Sequence, residues 1–375
     1  MLIQYSAVGR NDLTTICMTL QRLVAVAEIM GLPRVSYEQA ASQSPVKDDP
    51  YHQAKIKIWE AICATDRNFG MMLKLPAGTT NSVFPLHIFA RRESGDISQS
   101  YNYFLARICG MVIDVDKSYS NGDSEVDSYK TVIAVDRALK SLACQVPKAW
   151  LTSAVGKASD LIVKFWHPYI LSRAHLRPAM ISRQEYQQSR DVVRLASFDA
   201  VRMFCGFRTS LSRGFFYCRV LDIQAFTSAL MLLLFRDDAD RDACRRQDEL
   251  IDRLLECFGI ISASSASSFA RKAVQSISLL KEFILGRPTS STTIHIPLLG
   301  NVRIEALRKS PADCSTQLTH NGPLDQKCVR TIEELFDPVT NSSSITTNTI
   351  SFTIDFENDS PWTPPASRAG GYGRD

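Results

Sequence analysis

Apolar residues recur at intervals of three and four positions along most of the first 288 residues of the chain. Because residues spaced in this way lie on one face of a helix, each stripe predicts an amphipathic helix. The stripes predict an all-α fold, a multi-helix bundle of about nine or more helices. They cover residues 13–27, 59–73, 101–112, 132–146, 155–165, 192–204, 225–235, 250–258 and 269–284.

Residues that favour turns predict where several of these helices begin and end. Asp49 supplies a cap and Pro50 the first helical position of the second helix. Gly31 is expected to end the first helix, and Gly259 is expected to end the helix predicted at residues 250–258. Pro168 is expected to break or bend its helix, because proline lacks an amide proton and clashes with the preceding turn. The run 225–235 is too short for a membrane span and predicts a helix buried on several sides.

The composition changes after the helical region, and it predicts two further segments. Residues 289–337 are predicted as an irregular extension, in which Thr292 to Ile296 alternates like a strand or an extended loop. Residues 338–375 are rich in Ser, Thr, Asn, Pro and Gly, which predicts a disordered tail. Within this tail, Ile350 to Trp362 mixes acidic and hydrophobic residues, as activation segments do, although an ordinary terminal tail remains an alternative. The predicted helical domain is therefore 1–288.

The overall charge and the cysteines narrow the class of protein. Lysine and arginine total 43 against 39 acidic residues, a net charge of +4. This is well below the positive charge expected of a compact nucleic-acid-binding domain. No secretory signal and no run of roughly 18 apolar residues is found, so we expect an intracellular protein without a membrane span. The ten cysteines form no CxxC pair, which is typical of small core residues in a reducing compartment.

An acidic patch between two predicted helices is the main candidate for catalysis. Asp237, Asp238 and Asp242 resemble the magnesium-diphosphate site of isoprenoid synthases, since carboxylates bind hard cations. A DDxxD motif that starts at Asp237 ends on Arg241, however, and the second metal motif of those enzymes is matched only in part. We therefore favour acidic residues at a helix start, where the helix dipole stabilises them. The chain also lacks HExxH, GxSxG, GxGxxG and P-loop motifs, so no catalytic residue, metal ligand or cofactor is predicted.

Asp66 lies on the apolar stripe of its helix, next to Arg67. Burial of a carboxylate without a partner is strongly unfavourable, so the position predicts a specific interaction. A buried ion pair that fixes the register of the helix is favoured over a ligand or switch contact.

Five segments of the chain follow one another in a recognisable order. They are Leu20–Arg34, Lys55–Gly78, Leu139–Trp150, His167–Met180 and Cys218–Leu234. Together they resemble the fungal-specific transcription factor domain, the helical middle homology region of binuclear zinc-cluster regulators. The positions that match this pattern are Trp59, Asp66, Arg67, Pro76, His175, Ser189, Arg190 and Asp222. Lys74 stands where the family usually has glycine.

The resemblance implies a transcription regulator of metabolic or secondary-metabolite genes, located in the nucleus. Its helical domain would hold other domains in an inhibited or effector-responsive state and contact the transcription machinery or co-regulators. A small-molecule effector would occupy an apolar pocket, with Asp66 or His175 nearby.

One departure from the family limits what the resemblance implies for this chain. The six-cysteine cluster that holds zinc in full-length relatives is missing, so DNA contact would need a missing module. We expect a truncated product, a fragment or a regulator that lost this module. The lack of a basic targeting run leaves the cytoplasm as an alternative location. A helical scaffold without regulatory output and a metal-dependent isoprenoid-type enzyme remain alternative functions.

Overall fold

The computed structural model describes two compact units, Met1–Lys281 and Glu282–Asp375. Up to Leu285, where the last helix ends, the described residues are 13–35, 49–73, 77–79, 97–153, 156–181, 184–211, 218–237, 240–265 and 268–285. In the second unit they also include the strands at 292–296, 300–306, 342–346 and 350–355.

The first unit is built from helices, as the apolar stripes predict. The helices are α1 (Leu13–Ile29), α2 (Pro50–Leu73), α3 (Ile97–Ser120), α4 (Glu125–Cys144), α5 (Lys148–Thr152), α6 (Ala158–Met180), α7 (Gln187–Phe207), α8 (Cys218–Leu234), α9 (Arg241–Ser265) and α10 (Ser268–Leu285). Short 3-10 turns precede and follow α7, at Gln184–Tyr186 and Arg208–Ser210. Each predicted helix is present, and α5 is a short addition that the stripes do not predict.

The predicted helix ends are confirmed at two positions and wrong at a third. The Asp49 carboxylate accepts a 3.0 Å hydrogen bond from the amide of Tyr51, so it caps α2, whose first residue is Pro50. Gly31 follows α1 with a φ of 70°, the left-handed conformation that glycine adopts most easily. Gly259, in contrast, lies inside α9, which continues to Ser265. A glycine lowers helix stability only by about 1 kcal/mol, and the buried face of α9 outweighs that loss.

Helix α6 lies at the centre of the first unit. It packs on α3, α4, α7 and α8, and most of its side chains are buried. Pro168 does not break α6, which continues through Pro168 and Pro178 to Met180. The bend, the other outcome expected at Pro168, stays a prediction. A proline inside a helix is unfavourable by about 3 kcal/mol, and burial against four neighbouring helices offsets that loss.

A chain of phenylalanine rings extends from α6 through the core. The ring of Phe165 lies 6.3 Å from Phe204 of α7, which lies 5.6 Å from Phe258 of α9. Phe258 is 6.4 Å from Phe269 of α10, which is 5.7 Å from Phe226 of α8. Each such pair contributes about 0.5–1.5 kcal/mol beyond its buried area. The predicted burial of α8 is confirmed, since nearly all of its described side chains are inaccessible to solvent.

Helices α1 and α2 form a second cluster of the core. Trp59 packs there with Ile62, Cys63 and, from the first helix, Val24 and Ala27. Trp59 is only 3% exposed. Trp59, one of the positions that match the family pattern, is therefore a core residue that packs α1 on α2.

The second unit contains a four-stranded antiparallel sheet with the strand order β1-β2-β4-β3. The strands are β1 (Thr292–Ile296), β2 (Gly300–Ala306), β3 (Ser342–Thr346) and β4 (Ile350–Asp355). The alternating piece at Thr292 to Ile296 is thus a strand. Strand β2 lies within the predicted extension 289–337, and β3 and β4 lie within residues 338–375. In β2 and β4 the apolar positions alternate, and the register pairs Val302 with Ile354 and Ile304 with Phe352.

Two further features of the described residues bear on the class of protein. None of their helices has both the length and the apolar character that a membrane span requires. Of the cysteines whose surroundings are described, Cys63, Cys109, Cys244 and Cys257 are buried, whereas Cys144 is exposed. Most of them therefore act as small core residues, as the sequence predicts.

Two glycine substitutions test how the backbone sets the helix ends. We expect Gly31→Ala to lower the free energy of unfolding by about 1 kcal/mol, because alanine is strained at a positive φ. We expect Gly259→Ala to raise it by roughly 0.5–1 kcal/mol, because alanine is the better helix former and an added Cβ meets nothing within 4 Å. Urea unfolding of both variants measures the two changes. Equal effects of the same sign would contradict this assignment.

Candidate functional site

Asp66 and Arg67, next to each other on α2, both bind Thr79. Oδ2 of Asp66 accepts hydrogen bonds from the backbone amide of Thr79 at 2.8 Å and from its hydroxyl at 2.7 Å. Arg67 Nη2 donates to the carbonyl oxygen of Thr79 at 2.6 Å, and Nε lies 3.4 Å from the hydroxyl oxygen. All three residues are buried. Asp66 and Arg67 therefore bind the same threonine after the end of α2, and the predicted buried ion pair at Asp66 stays a prediction.

The surroundings of Arg67 connect this threonine to α3. A Cβ on Gly110 of α3 would lie 3.7 Å from Nη1 of Arg67, so only a small residue leaves the guanidinium its full space. Burial raises the pKa of the Cys63 and Cys109 thiols to about 12, although the nearby Arg67 charge opposes the shift. These thiols stay protonated at neutral pH and act as core groups, not as nucleophiles.

A buried group of charges joins α3 to α6. Arg173 Nη2 lies 3.1 Å from Oδ2 of Asp116, and Arg177 Nε lies 3.7 Å from Oδ1 of the same carboxylate. The guanidinium of Arg177 also lies 5.7 Å from the centre of the Tyr119 ring. All three charged side chains are at most 9% exposed. Removal of one partner from such a group is strongly destabilising, because a charge is left buried.

His175 and Ser189 join α6 to α7. Nδ1 of His175 lies 3.1 Å from the hydroxyl oxygen of Ser189, and both residues are buried. Burial lowers the pKa of His175 to about 4, and the smaller influence of the Asp136 charge on α4 opposes this shift while that of Lys140 adds to it. The imidazole is therefore neutral at pH 7, and it acts as a hydrogen-bonding group in the core.

Arg190 caps the carboxyl end of α6 from the neighbouring helix. Its Nε donates to the carbonyl oxygen of Ala179 at 3.1 Å, and Nη2 donates to that of Ile181 at 2.9 Å. Carbonyl groups in the last turn of a helix have no partner within the helix. Arg190 supplies that partner, and its charge is also favourable at the negative end of the helix dipole.

Asp222 holds the turn after α7 against α8. Arg208 binds the Asp222 carboxylate with both nitrogens, Nε at 2.6 Å and Nη2 at 3.2 Å. Burial raises the pKa of Asp222, and the hydrogen bonds and charge of Arg208 oppose this. The guanidinium of Arg219, a further positive charge near Asp222, lies 3.9 Å from the Phe269 ring centre. A two-point arginine–carboxylate contact fixes both distance and orientation.

A chain of neutral side chains links α6, α8 and α2, and the sequence did not predict it. The indole nitrogen of Trp166 donates to Oε1 of Gln224 at 3.1 Å, and Nε2 of Gln224 donates to Oδ1 of Asn68 at 3.3 Å. Gln224 is completely buried. The available signal was a glutamine within a largely apolar helix, since a buried amide needs hydrogen-bond partners.

The acidic patch forms the start of α9. The Asp240 carboxylate accepts a 2.9 Å hydrogen bond from the amide of Ala243, which is an N-cap. Asp242, in the first turn, lies 3.4 Å from Arg245. Asp237 is exposed, and Asp238 lies outside the described residues. Among the described residues no group of three potential ligands is placed to hold a metal ion. The hydrogen bond from Ala243 to Asp240 supports acidic residues at a helix start.

The predicted positions are thus distributed over several separate interactions. Asp66 lies with Arg67, and His175 lies with Ser189, whereas Asp222 binds Arg208 and Trp59 belongs to the α1–α2 cluster. Pro76 lies outside the described residues. An effector near Asp66 or His175 stays a prediction. Sequence reasoning missed Thr79 and Arg208, the partners of Asp66 and Asp222. It also missed two further buried groups, Asp116 with Arg173 and Arg177, and Gln224 with Trp166 and Asn68.

The chain is similar to curated fungal transcription regulators. It is 21% identical over 231 residues to the transcription factor sdnS of Sordaria araneosa, over 58% of this chain and 29% of that protein. It is 26% identical over 246 residues to the dehydrocurvularin biosynthesis regulator of Aspergillus terreus, over 59% of this chain and 32% of that protein. It is 27% identical over 134 residues to the transcription factor eupR of a Phoma species, over 35% of this chain and 26% of that protein.

The chain therefore spans about a third or less of the length of these relatives. No protein-family model matches the chain. No solved structure matches it either.

Substitution of the threonine that binds both charges tests the site at the end of α2. Thr79→Val keeps the shape but removes the hydroxyl between Asp66 and Arg67, so we expect a loss of about 2 kcal/mol in the free energy of unfolding. Thr131→Val is the matched control, because that hydroxyl contacts only the Asp127 carbonyl on the surface of α4. The control should change stability by less than about 0.5 kcal/mol. Equal losses in urea unfolding would contradict a specific role for Thr79.

The buried histidines predict how stability depends on pH. Burial lowers the pKa of both His167 and His175 from 6.5 to about 4. Below about pH 6 the unfolded chain therefore binds protons that the folded chain excludes, and stability falls as the pH drops towards 4. Each histidine contributes a slope of about 1.4 kcal/mol per pH unit in this window.

Urea unfolding from pH 7 to pH 4 measures that slope. His175→Asn keeps a hydrogen-bonding group next to Ser189 but cannot titrate in this window, so its slope should be shallower by about 1.4 kcal/mol per pH unit. His167→Asn provides an independent second measurement. A slope that neither substitution reduces would show that the carboxylates alone determine the acid sensitivity.

Proposed function

We propose that this chain is the helical regulatory region of a fungal transcription regulator, of the fungal-specific transcription factor domain type. The observation that carries the proposal is the similarity to two fungal regulators over 58% and 59% of the chain. The order of the segments that resemble this domain supports the same assignment. The chain would act by binding other macromolecules and would not catalyse a reaction.

The buried polar groups support a role that depends on a defined shape. Asp66 and Arg67 hold Thr79 after the end of α2. His175 joins α6 to α7, and Asp222 joins the turn after α7 to α8. Buried polar contacts of this kind favour one packing arrangement over others of similar apolar area. A regulatory domain that holds other domains in a particular state needs this kind of defined surface.

The partners of the chain follow from the proposed role. We propose contacts with proteins of the transcription machinery or with co-regulators, and a nuclear location. DNA would be contacted through a zinc-cluster module that these 375 residues do not contain, so the chain itself would need no zinc. One relative is named a biosynthesis regulator, which supports metabolic or secondary-metabolite genes as targets.

A buried polar group of the core is the candidate contact for a small-molecule effector. Nε2 of His175 is buried and has no hydrogen-bond partner among the described residues. A buried polar atom in this state is unfavourable by about 1–3 kcal/mol. A hydrogen-bonding ligand at this position would relieve that penalty, which is why we retain His175 as the candidate effector contact.

Fusion to an unrelated DNA-binding module tests the proposed function. We expect the fused chain to change reporter output in fungal cells, because its partner contacts would be brought to the promoter. A second fusion that ends at residue 337 measures the contribution of the acidic-hydrophobic segment at Ile350 to Trp362. No change in output from either fusion would contradict a regulatory role and would favour a helical scaffold without regulatory output.

Two variants of the fusion separate a folded surface from a nonspecific effect. Asp222→Ala leaves Arg208 buried without its carboxylate and should destabilise the helical unit by about 3–5 kcal/mol, so the output should be lost. Asp199→Ala breaks the exposed contact with Arg202 and should leave the output unchanged. An identical output from both variants, at equal protein levels, would show that the folded helical unit is not the active part.

A further inference from the structure

Most of the exposed apolar side chains of the described helices lie on α1 and α2. Six of the ten large hydrophobic side chains that are exposed among the described residues belong to these two helices or to Met30, directly after α1. On α2 they are Tyr51, 68% exposed, and Ile58, 46% exposed. A concentration of exposed apolar side chains in one part of a protein indicates a surface for interaction.

The exposed residues of α2 follow the spacing of a seam between two helices. Tyr51, Ala54, Ile58 and Ala61 are all exposed, and they stand at intervals of three, four and three residues. This spacing is the alternation of a and d positions in a heptad, which places the four side chains in one stripe along the helix. These four residues form the outer stripe of α2.

The outer stripe is separate from the faces that hold α2 in the fold. Among the described helices, α2 packs mainly on α1 and α3. Trp59, on another face of α2, packs in the α1–α2 cluster and is only 3% exposed. Further along the helix, Asp66 and Arg67 bind Thr79. The fold therefore fixes α2 while the outer stripe remains accessible to solvent.

Two lysines flank the outer stripe. Lys55 occupies the e position and Lys57 the g position of the same heptad, so they lie on opposite sides of the stripe. Lys57 is exposed, and Nζ of Lys55 lies 4.5 Å from the centre of the Tyr51 ring. Within the described part of the chain neither lysine forms a salt bridge. Asp49, at the amino end of the helix, is bound to the amide of Tyr51. Both flanks of the stripe therefore carry a positive charge that a partner can neutralise.

These features favour one kind of partner. Charges at e and g positions determine which helices pair, because opposite charges attract across the seam and like charges repel. A second copy of α2 would bring lysines next to lysines. A helix with glutamate or aspartate on both sides of its apolar seam would meet opposite charges instead. The small side chains of Ala54 and Ala61 allow the axis of such a helix to approach closely.

We propose that the outer stripe of α2 is the docking site for an amphipathic helix of a partner protein, with acidic side chains on both sides of its apolar seam. Tyr51 and Ile58 are buried in this contact, and Lys55 and Lys57 bind the acidic flanks. The stripe covers about three turns of helix, so the interface is small and the contact is weak and transient. This docking site deepens the function proposed above, which needs a surface for partner proteins, and it rests on that function for the class of partner.

Two designed peptides test this surface on the whole chain. Both are helices of about 21 residues, or three heptads, with leucine at the a and d positions. One carries glutamate at e and g, and the other carries lysine there. We expect the glutamate peptide to bind at least about tenfold more tightly in fluorescence anisotropy, and its binding to weaken at high salt, because exposed charges are screened. Equal affinities, or no binding of the glutamate peptide, would overturn the proposal.

Charge reversal tests the flanks of the stripe. The double variant Lys55→Glu with Lys57→Glu should reverse the preference and bind the lysine peptide more tightly. Lys130→Glu, on the exposed surface of α4, is the matched control and should leave the preference unchanged. A double variant that still prefers the glutamate peptide would overturn the assignment of acidic flanks to the partner.

A substitution at the centre of the stripe tests the apolar contact. Ile58→Ser should weaken binding of the glutamate peptide at least about tenfold, because less apolar area is buried. Leu195→Ser, at a residue of α7 that is 58% exposed, should leave the affinity unchanged. Both side chains are exposed, so the midpoint of urea unfolding should stay that of the wild type. Equal affinities of the two variants would overturn the outer stripe as the docking site.

Sedimentation and the reporter fusion separate this docking site from its alternatives. Self-association that Ile58→Ser abolishes would assign the outer stripe to a second copy and overturn the proposal. In the fusion, we expect Ile58→Ser to lower the output at equal protein levels, whereas Leu195→Ser does not. An output that Ile58→Ser leaves unchanged would overturn the partner surface while the regulatory function stands. No output from any fusion, with the peptide preference intact, would contradict the regulatory function and still support the docking site.

Discussion

The fold depends on a helix that is buried on every side and nevertheless carries charged and polar side chains. Helix α6 packs against four other helices, so Lys164, Arg173, His175 and Arg177 have little access to water. A buried charge without a partner is far more unfavourable than an imperfect apolar contact. The partners on α3 and α7, Asp116 and Ser189 among them, therefore determine how α6 is rotated and how deeply it lies. The neighbouring helices are positioned by the same interactions.

This requirement also explains what the family-like positions do in the chain. The apolar stripes alone allow several packings of similar buried area, because one helix face with leucine and alanine resembles another. The hydrogen bond of Arg190 to a carbonyl oxygen of α6, and that of Arg208 to Asp222, form in only one of these packings. Such positions are important because they select one packing of the helices. A protein that acts through its surface depends on that specificity as much as an enzyme depends on its catalytic groups.

The sequence predicted the helices well because the period of the apolar positions is a local property. For the same reason Gly259 was a wrong prediction of a helix end and Pro168 does not break its helix, since local rules weigh one residue and omit the packing of the whole helix. Partners such as Asp116 for Arg173, 57 residues apart, follow from the tertiary arrangement and have no local signal. In β4, the apolar residues Ile350, Phe352 and Ile354 alternate with polar ones. Its pairing with β2 again joins distant residues.

The contrast between Lys164 and Arg173 shows why the identity of a buried cation matters. A guanidinium stays protonated in proteins, so Arg173 needs the carboxylate of Asp116, which lies 3.1 Å away. The ammonium of Lys164, in contrast, donates to a single carbonyl oxygen, that of Ser153, and lies 4.8 Å from the centre of the Trp150 ring. The two cations on one helix therefore have different consequences. Arg173 fixes the packing of α6 against α3, whereas Lys164 connects α6 to the short helix α5 and the residue that follows it.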